Sequence, residues 1–253
     1  MWVWITLGIF LVAYAIYYYL NRLLLPKYSE RIGNEEMQIA TVKQLISSEQ
    51  LKDTWSSTSG STLIFYIYPI LTDRTAVSGN EYATIIQIGT KQTFKLLIAP
   101  DAGRDINMAP ALFEVYVKGL DDPEIIEIPN IPLQRWTSIA IVKLGRKFNI
   151  YINGKLTISH MCTAMPDFDE TQPLRIGDPR LGGQFAQMSL MGYAMQTNEI
   201  RAFIANKQDT EGKPYLSSGI FSFIPTFYSW CPGGNCNLPK KAGALEEWVS
   251  PYA

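Results

Sequence analysis

The sequence predicts an all-β sandwich preceded by one apolar N-terminal helix. Three observations carry this. Short runs rich in Val, Ile, Thr and aromatic residues recur between clusters of Gly, Pro, Asn and Asp, with almost no helical period. Residues 135–161 read as three strands joined by two tight turns. Residues 2–20 contain no charged side chain.

The three-strand stretch, RWTSIAIVKLGRKFNIYINGKLTISHM, organises the rest. Asn153-Gly154 suits a type I′ turn, where both central residues need φ > 0, and Gly145-Arg146 suits a type II′ turn. These turns fix the register. Lys143 faces Phe148, Ile141 faces Ile150 and Ile139 faces Ile152, so five apolar side chains share one face. The other face carries Ala140, Val142, Tyr151 and Leu156. A meander apolar on both sides belongs inside a layered structure.

A Trp entering a strand (Trp136), a Gly-Arg turn, NIYINGKLTIS and then, past a polar loop, LRIG (Leu174 to Gly177) together resemble the laminin G-like and concanavalin A-like lectin–glucanase superfamily. The resemblance runs from about Trp55 to Asn206 and is clearest over residues 136–177. It implies a jelly-roll sandwich. It implies no one activity, because that fold hosts lectins, hydrolases, adhesion modules and inert structural domains.

In chain order, residues 1–25 are expected to form a transmembrane helix, since about 20 apolar residues match the hydrocarbon thickness of a bilayer. Trp2, Trp4, Tyr17, Tyr18 and Tyr19 sit near its two ends as interfacial aromatics, with Arg22 at the boundary. A cleaved signal peptide fits less well, because no basic stretch precedes the run and no small-x-small site precedes Pro26. Arg22, Lys27 and Arg31 place the large domain on the cytoplasmic side by the positive-inside rule. Residues 26–54 read as a polar stalk, in which Asn34-Glu35-Glu36 suits a helix cap and residues 37–42 equally suit a strand. The sandwich is expected over 55–212. Its strands fall at 62–69, where proline ends the run, and at 83–89, 93–99, 112–118, 124–128 and 184–191, with a short helix at 196–203.

Residues 213–253 form an aromatic-rich tail broken by Pro and Gly. Core and edge cover for the sandwich is its first reading. Docking of a protein partner through Phe221, Phe223, Phe227, Tyr228, Trp230 and Trp248 is its second. Cys231-Pro-Gly-Gly-Asn-Cys236 turns tightly enough for a disulfide, with two free thiols the next reading. His160 and Cys162, two apart on one strand face, are able to complete four zinc ligands with that pair, although the spacing matches known zinc patterns poorly.

Composition excludes several functions. With net charge −1 there is no basic field for nucleic acid, and one histidine leaves little room for His-dependent catalysis. The E-x-D-x-(x)-E strand motif of the family's glycosidases is missing. Asp167-Phe168-Asp169-Glu170 is in phase but lacks its glutamates, and Glu124 and Glu127 fall on opposite strand faces. No catalytic residue is therefore expected, and no cofactor. Ca²⁺ stays open without assigned ligands among the loop acids Asp101, Asp105, Asp121, Asp122, Asp167, Asp169 and Asp178. The functional expectation is a structural or interaction protein held in a lipid bilayer by residues 2–25. Its sandwich would dock onto other proteins of an ordered assembly, as a minor virion protein of a large DNA virus would. A membrane-tethered carbohydrate-binding module is the alternative, and a degenerate glucanase the third reading.

Overall fold

The computed structural model describes residues 12–14, 16–17, 29–32, 36–57, 59–71, 81–98, 107–169 and 171–215. In chain order the strands are β1 (Ser29–Ile32), β2 (Met37–Gln38) and β3 (Lys43–Ile46), followed by helix α1 (Ser48–Trp55). Then come β4 (Ser61–Ile70), β5 (Tyr82–Ile88), β6 (Gln92–Leu97), β7 (Met108–Val115), β8 (Glu124–Pro132), β9 (Thr137–Leu144), β10 (Lys147–Ile152) and β11 (Lys155–Met161). The chain continues with β12 (Leu174–Ile176), β13 (Gly182–Met191) and helix α2 (Thr197–Ala205). They form two antiparallel sheets. The first runs β1-β13-β4-β9-β10-β11, with β2 also on β13, and the second runs β3-β12-β5-β6-β7-β8. One core fills the space between them, supplied by inward-facing residues of β3 to β10, β12 and β13, with Met37 of β2 and Ile158 of β11 packed against it.

The central meander forms as its turns dictate. Asn153 and Gly154 have φ of 49° and 73°, and Gly145 has φ of 57°. Lys143 pairs with Phe148, Ile141 with Ile150 and Ile139 with Ile152. Ile139, Ile141, Phe148 and Ile150 are buried in the core between the sheets, with Ile152 packed against it. On the opposite face Ala140, Val142 and Tyr151 join Ile64, Met191 and Met195 beneath Ile200 and Ile204 of α2. That helix explains the apolar outer face. Its first turn is secured by the Glu199 carboxylate, which accepts from Gln196 N at 2.7 Å. Leu156, expected on the same face, is left exposed.

The expected polar stalk is different in the structure. Residues 29–46 supply three strands: β1 and β2 pair with β13, while β3 pairs with β12 of the other sheet. Between β2 and β3 the chain therefore crosses from one sheet to the other. Only Met37 and Gln38 of the ambiguous 37–42 stretch are strand, and Glu36 is not helical. The crossing presses on the glycine of the LRIG motif. A Cβ on Gly177, whose φ is 96°, would lie 2.4 Å from Thr41 O and 2.6 Å from Ile39 O. Helix α1 follows at once, with the Ser47 hydroxyl accepting from Gln50 N at its start. Its buried residues are Leu51, Thr54 and Trp55. At the other boundary of the sandwich, Gln208 and Pro214 form a bridge, so the fold runs past the expected end at 212. Pro69 does not end β4, which continues to Ile70.

Residues 12–14 and 16–17 are helical, and Tyr17 is exposed. The other expected anchor residues, Trp2, Trp4, Tyr18, Tyr19 and Arg22, lie outside the described residues. Among the described residues no helix is long and apolar enough to cross a membrane. The tail aromatics Phe221, Phe223, Phe227, Tyr228, Trp230 and Trp248, and the Cys231–Cys236 pair, also lie outside them.

Two substitutions test this architecture. Ile150→Ala should lower the unfolding free energy by about 2–5 kcal/mol, because it leaves a cavity between two packed layers. Gly177→Ala should cost at least about 2 kcal/mol, through positive φ and a backbone clash that no side-chain rotation relieves. Chemical denaturation measures both. A cost near zero at either position would contradict the inner meander or the crossing, respectively.

Candidate functional site

One end of the sandwich is built from the starts of β4, β6, β8 and β10 and the ends of β7, β9 and β11. Helix α1 closes it. Four residues apart on the helix, Leu51 and Trp55 share one face and reach the core from it. The Trp55 indole is fully buried, and its Nε1 donates to Gln92 Oε1 at 2.8 Å. Gln92 in turn donates through Nε2 to Asp167 O at 3.2 Å, tying the loop after β11 to β6. Asp167 N reaches Tyr116 O at 2.7 Å and Lys118 N reaches Met165 O at 2.9 Å, which fixes the loop against the end of β7.

Between the helix end, the β9–β10 turn and this loop lies a cleft of about 390 Å³. Ser56, Ser57, Lys118, Lys143, Met165 and Phe168 are among its lining residues. Lys143 is its unusual member. It follows Ile139 and Ile141 on the core-facing row of β9, so the alternation that buries the isoleucines carries an amine inward as well. The side chain is 9 % exposed. Its Nζ donates to Trp55 O at 2.7 Å and lies 5.3 Å from the Trp55 ring centroid. Burial pushes the amine down to about 8. Among the described residues no carboxylate forms an ion pair with it.

An ammonium has three N–H donors, and Trp55 O occupies one. The remainder, with the serine hydroxyls and the apolar Met165 and Phe168, can receive a ligand that presents an acid group and hydroxyls. Of the carboxylates at or beyond this end, Asp167 itself lines the cleft, while Asp169 and Asp178 do not, and each has partners of its own. Asp167 Oδ1 accepts from Phe168 N at 3.0 Å, and Oδ2 faces Lys91 at 3.6 Å. Asp169 accepts from Thr90 and Thr171, bonds that hold it below the usual carboxylate range. Burial works to raise Asp178, but the Arg180 pair at 2.7 Å and the bond from Thr84 N outweigh it. Asp121, Asp122, Asp167, Asp169 and Asp178 join no group of three metal-ligating side chains among the described residues, and Asp101 and Asp105 lie outside them.

His160 and Cys162, paired at the sequence level, do come together at the same end, where they meet Glu124. Burial pushes the Cys162 thiol up to about 11, with the Glu124 charge adding to the effect, so the sulfur is not poised as a nucleophile. Neither Lys143 nor Glu124 was singled out from the sequence as a site residue. The signal for Lys143 was its phase, a lysine in the apolar row of an inner strand. For Glu124 there was none, because its partners lie across the sandwich.

No curated protein matches the chain. Among solved structures, the binding domain of botulinum neurotoxin DC in complex with SialylT is similar at a TM-score of 0.50 and 11 % identity, covering 73 % of this chain and 53 % of that one. The botulinum neurotoxin serotype G binding domain gives 0.51 at 13 %, covering 74 % and 50 %. A botulinum neurotoxin type G receptor binding domain gives 0.51 at 17 %, covering 74 % and 47 %. This chain thus spans about half the length of those chains, and the likeness is one of fold. The family described as the concanavalin A-like lectin/glucanases superfamily, in its laminin G-like branch, matches residues 46–201. With two antiparallel sheets facing across one core and that match over most of its length, the chain belongs to the concanavalin A-like lectin/glucanase superfamily.

Proposed function

We propose that the chain is a non-enzymatic binding module whose end cleft takes an acidic glycan. The observation that carries this is Lys143, a buried amine in a cleft with no carboxylate partner among the described residues. Leaving such a cation unpaired costs stability, and a ligand carboxylate repays it with a charge-assisted hydrogen bond. Ser56 and Ser57 offer hydroxyls to sugar oxygens, and Phe168 an apolar wall. The binding domain of a fold relative in complex with SialylT is in keeping with this class of ligand.

A second reading, docking onto other proteins of an assembly such as a virion, has support from exposed apolar side chains around the same end. Leu144 and Met161 flank Lys147 in one cross-strand row, and Ile125 and Met165 are exposed nearby in the fold. In either reading residues 1–25 tether the module to a bilayer, on the strength of the uncharged run at 2–20; the docking reading puts the sandwich on the cytoplasmic side, and the glycan reading requires the opposite side, where acidic glycans are displayed.

Two measurements test these readings. On a glycan array, the full chain should retain sialylated or uronic-acid glycans over their neutral counterparts. Lys143→Met should weaken that binding at least about tenfold, a loss of roughly 1.4 kcal/mol. Because the charged amine is the binding form and titrates at about 8, affinity should be full below that pH and fall as pH rises through it. Retention indifferent to acid groups, or unchanged in Lys143→Met, sinks the glycan reading, and cross-linking in the native assembly then tests the second. For the tether, alkaline carbonate should leave the full chain in the membrane pellet, and its release would contradict a spanning helix.

A further inference from the structure

At the closed end, the two sheets present their last strands to each other. β8 is the terminal strand of one sheet and β11 of the other, so no ladder hydrogen bonds join them. Side chains make the connection instead. Glu124, at the start of β8, accepts from His160 across the gap, with Oε2 3.1 Å from Nε2. Cys162, one residue past β11 and 1 % exposed, lies beside the same carboxylate. One ligand atom from each of the three lies within 4.8 Å of the other two.

We propose that Glu124, His160 and Cys162 form a site for a divalent transition metal, zinc in the first instance, that clips the edge strands of the two sheets together. The donor set selects the metal. One sulfur, one imidazole nitrogen and one carboxylate oxygen suit zinc and its neighbours, whereas Ca²⁺ and Mg²⁺ require oxygen. The distances suit it too. Ligand bonds of 2.0–2.3 Å in a tetrahedron place donor atoms about 3.3–3.8 Å apart, so small side-chain rotations complete the geometry.

The surrounding bonds are those of a supported ligand. Thr163 N donates to Glu124 Oε1 at 2.9 Å, and the Thr163 hydroxyl donates to the same oxygen. That leaves Oε2 turned toward His160 and fixes the carboxylate's orientation, as outer partners do in metal sites. Thr163 is itself held by Arg146, whose Nη1 donates to Thr163 O at 3.0 Å. Cys162 N reaches Arg146 O at 2.9 Å, so the turn after β9 fixes the sulfur's backbone. On binding, the metal–sulfur bond replaces S–H and the proton passes to water. Carboxylate and thiolate then balance the two positive charges. His160 is half-buried, so water can reach the site as a fourth ligand.

The tail thiols Cys231 and Cys236 have to be separated from this site, so the test uses the full chain carrying Cys231→Ser and Cys236→Ser. After chelation and reloading, it should bind one Zn²⁺ or Co²⁺ per chain, and Co²⁺ should give a thiolate-to-metal charge-transfer band. Adding Cys162→Ser should abolish the band, and His160→Gln should weaken affinity at least tenfold. X-ray absorption on the Zn²⁺ form, which needs no further variant, should show one sulfur among nitrogen and oxygen neighbours. Zn²⁺ should also raise the midpoint of thermal unfolding. No stoichiometric metal in the Cys231→Ser, Cys236→Ser chain, or a bound metal without a sulfur neighbour, would overturn the site and leave a hydrogen-bonded clasp.

Discussion

Burying the Trp55 indole whole leaves one N–H that must find an acceptor, and the closed end of the molecule is arranged around that need. Gln92 supplies the acceptor and is itself fully buried, so its own amide has to be satisfied in turn. It is satisfied by Asp167 O, which pins the loop that walls the cleft. The carbonyl of Trp55 takes donors from Lys143 Nζ and from Ser61 Oγ, joining α1 to β9 and β4. A chain of obligatory partners, rather than apolar contact alone, thus sets where the helix, three strands and a loop meet. Removing Gln92 would orphan the indole and leave the loop held only by its backbone bonds to the end of β7.

The meander was legible because its determinants are local. Asn153, Gly154 and Gly145 satisfy turn geometry that few residues can adopt, and a two-residue turn sets the register beside it, kept throughout β9–β10 and shifted in β10–β11 only past Tyr151. The residues between 29 and 55 were not legible for the opposite reason. Strands β2 and β3 are edge pieces of two and four residues, half of whose side chains are exposed, and they exist because β13 and β12 offer them partners. Helix α1 did carry a signal, Ser47 with Gln50 three residues on. Its polar surface, with only Leu51, Thr54 and Trp55 turned inward, hid the apolar stripe. The site divides in the same way. Lys143 could be seen in phase with Ile139 and Ile141, while the meeting of Glu124 with His160 depends on how two sheets stack, which no local pattern encodes.

The two long sides of the sandwich are closed by unlike means. On one, the backbone itself passes between sheets after β2, and Gly177 gives way beneath it, so closure is covalent. On the other, β8 and β11 meet through the Glu124–His160 contact. Both faces of the first sheet are also unlike, since α2 covers one and the second sheet the other. The sandwich is therefore joined by backbone along one seam and by side chains along its opposite.

The position of β4 in its sheet has a consequence for how the chain is made. Its run STLIFYIYPI is apolar on both faces, and its two neighbours are β9 and β13. Leu63 pairs with Ile141 and with Leu190, both of which leave the ribosome long after it does. During synthesis the most strand-prone segment of the protein waits unpaired with two open edges, the condition under which chains associate with one another. The quick, local β9–β10–β11 hairpins, arriving together, then offer it a preformed edge. On this view the meander serves nascent chains as much as the finished sandwich, by shortening the interval in which β4 is available to a wrong partner.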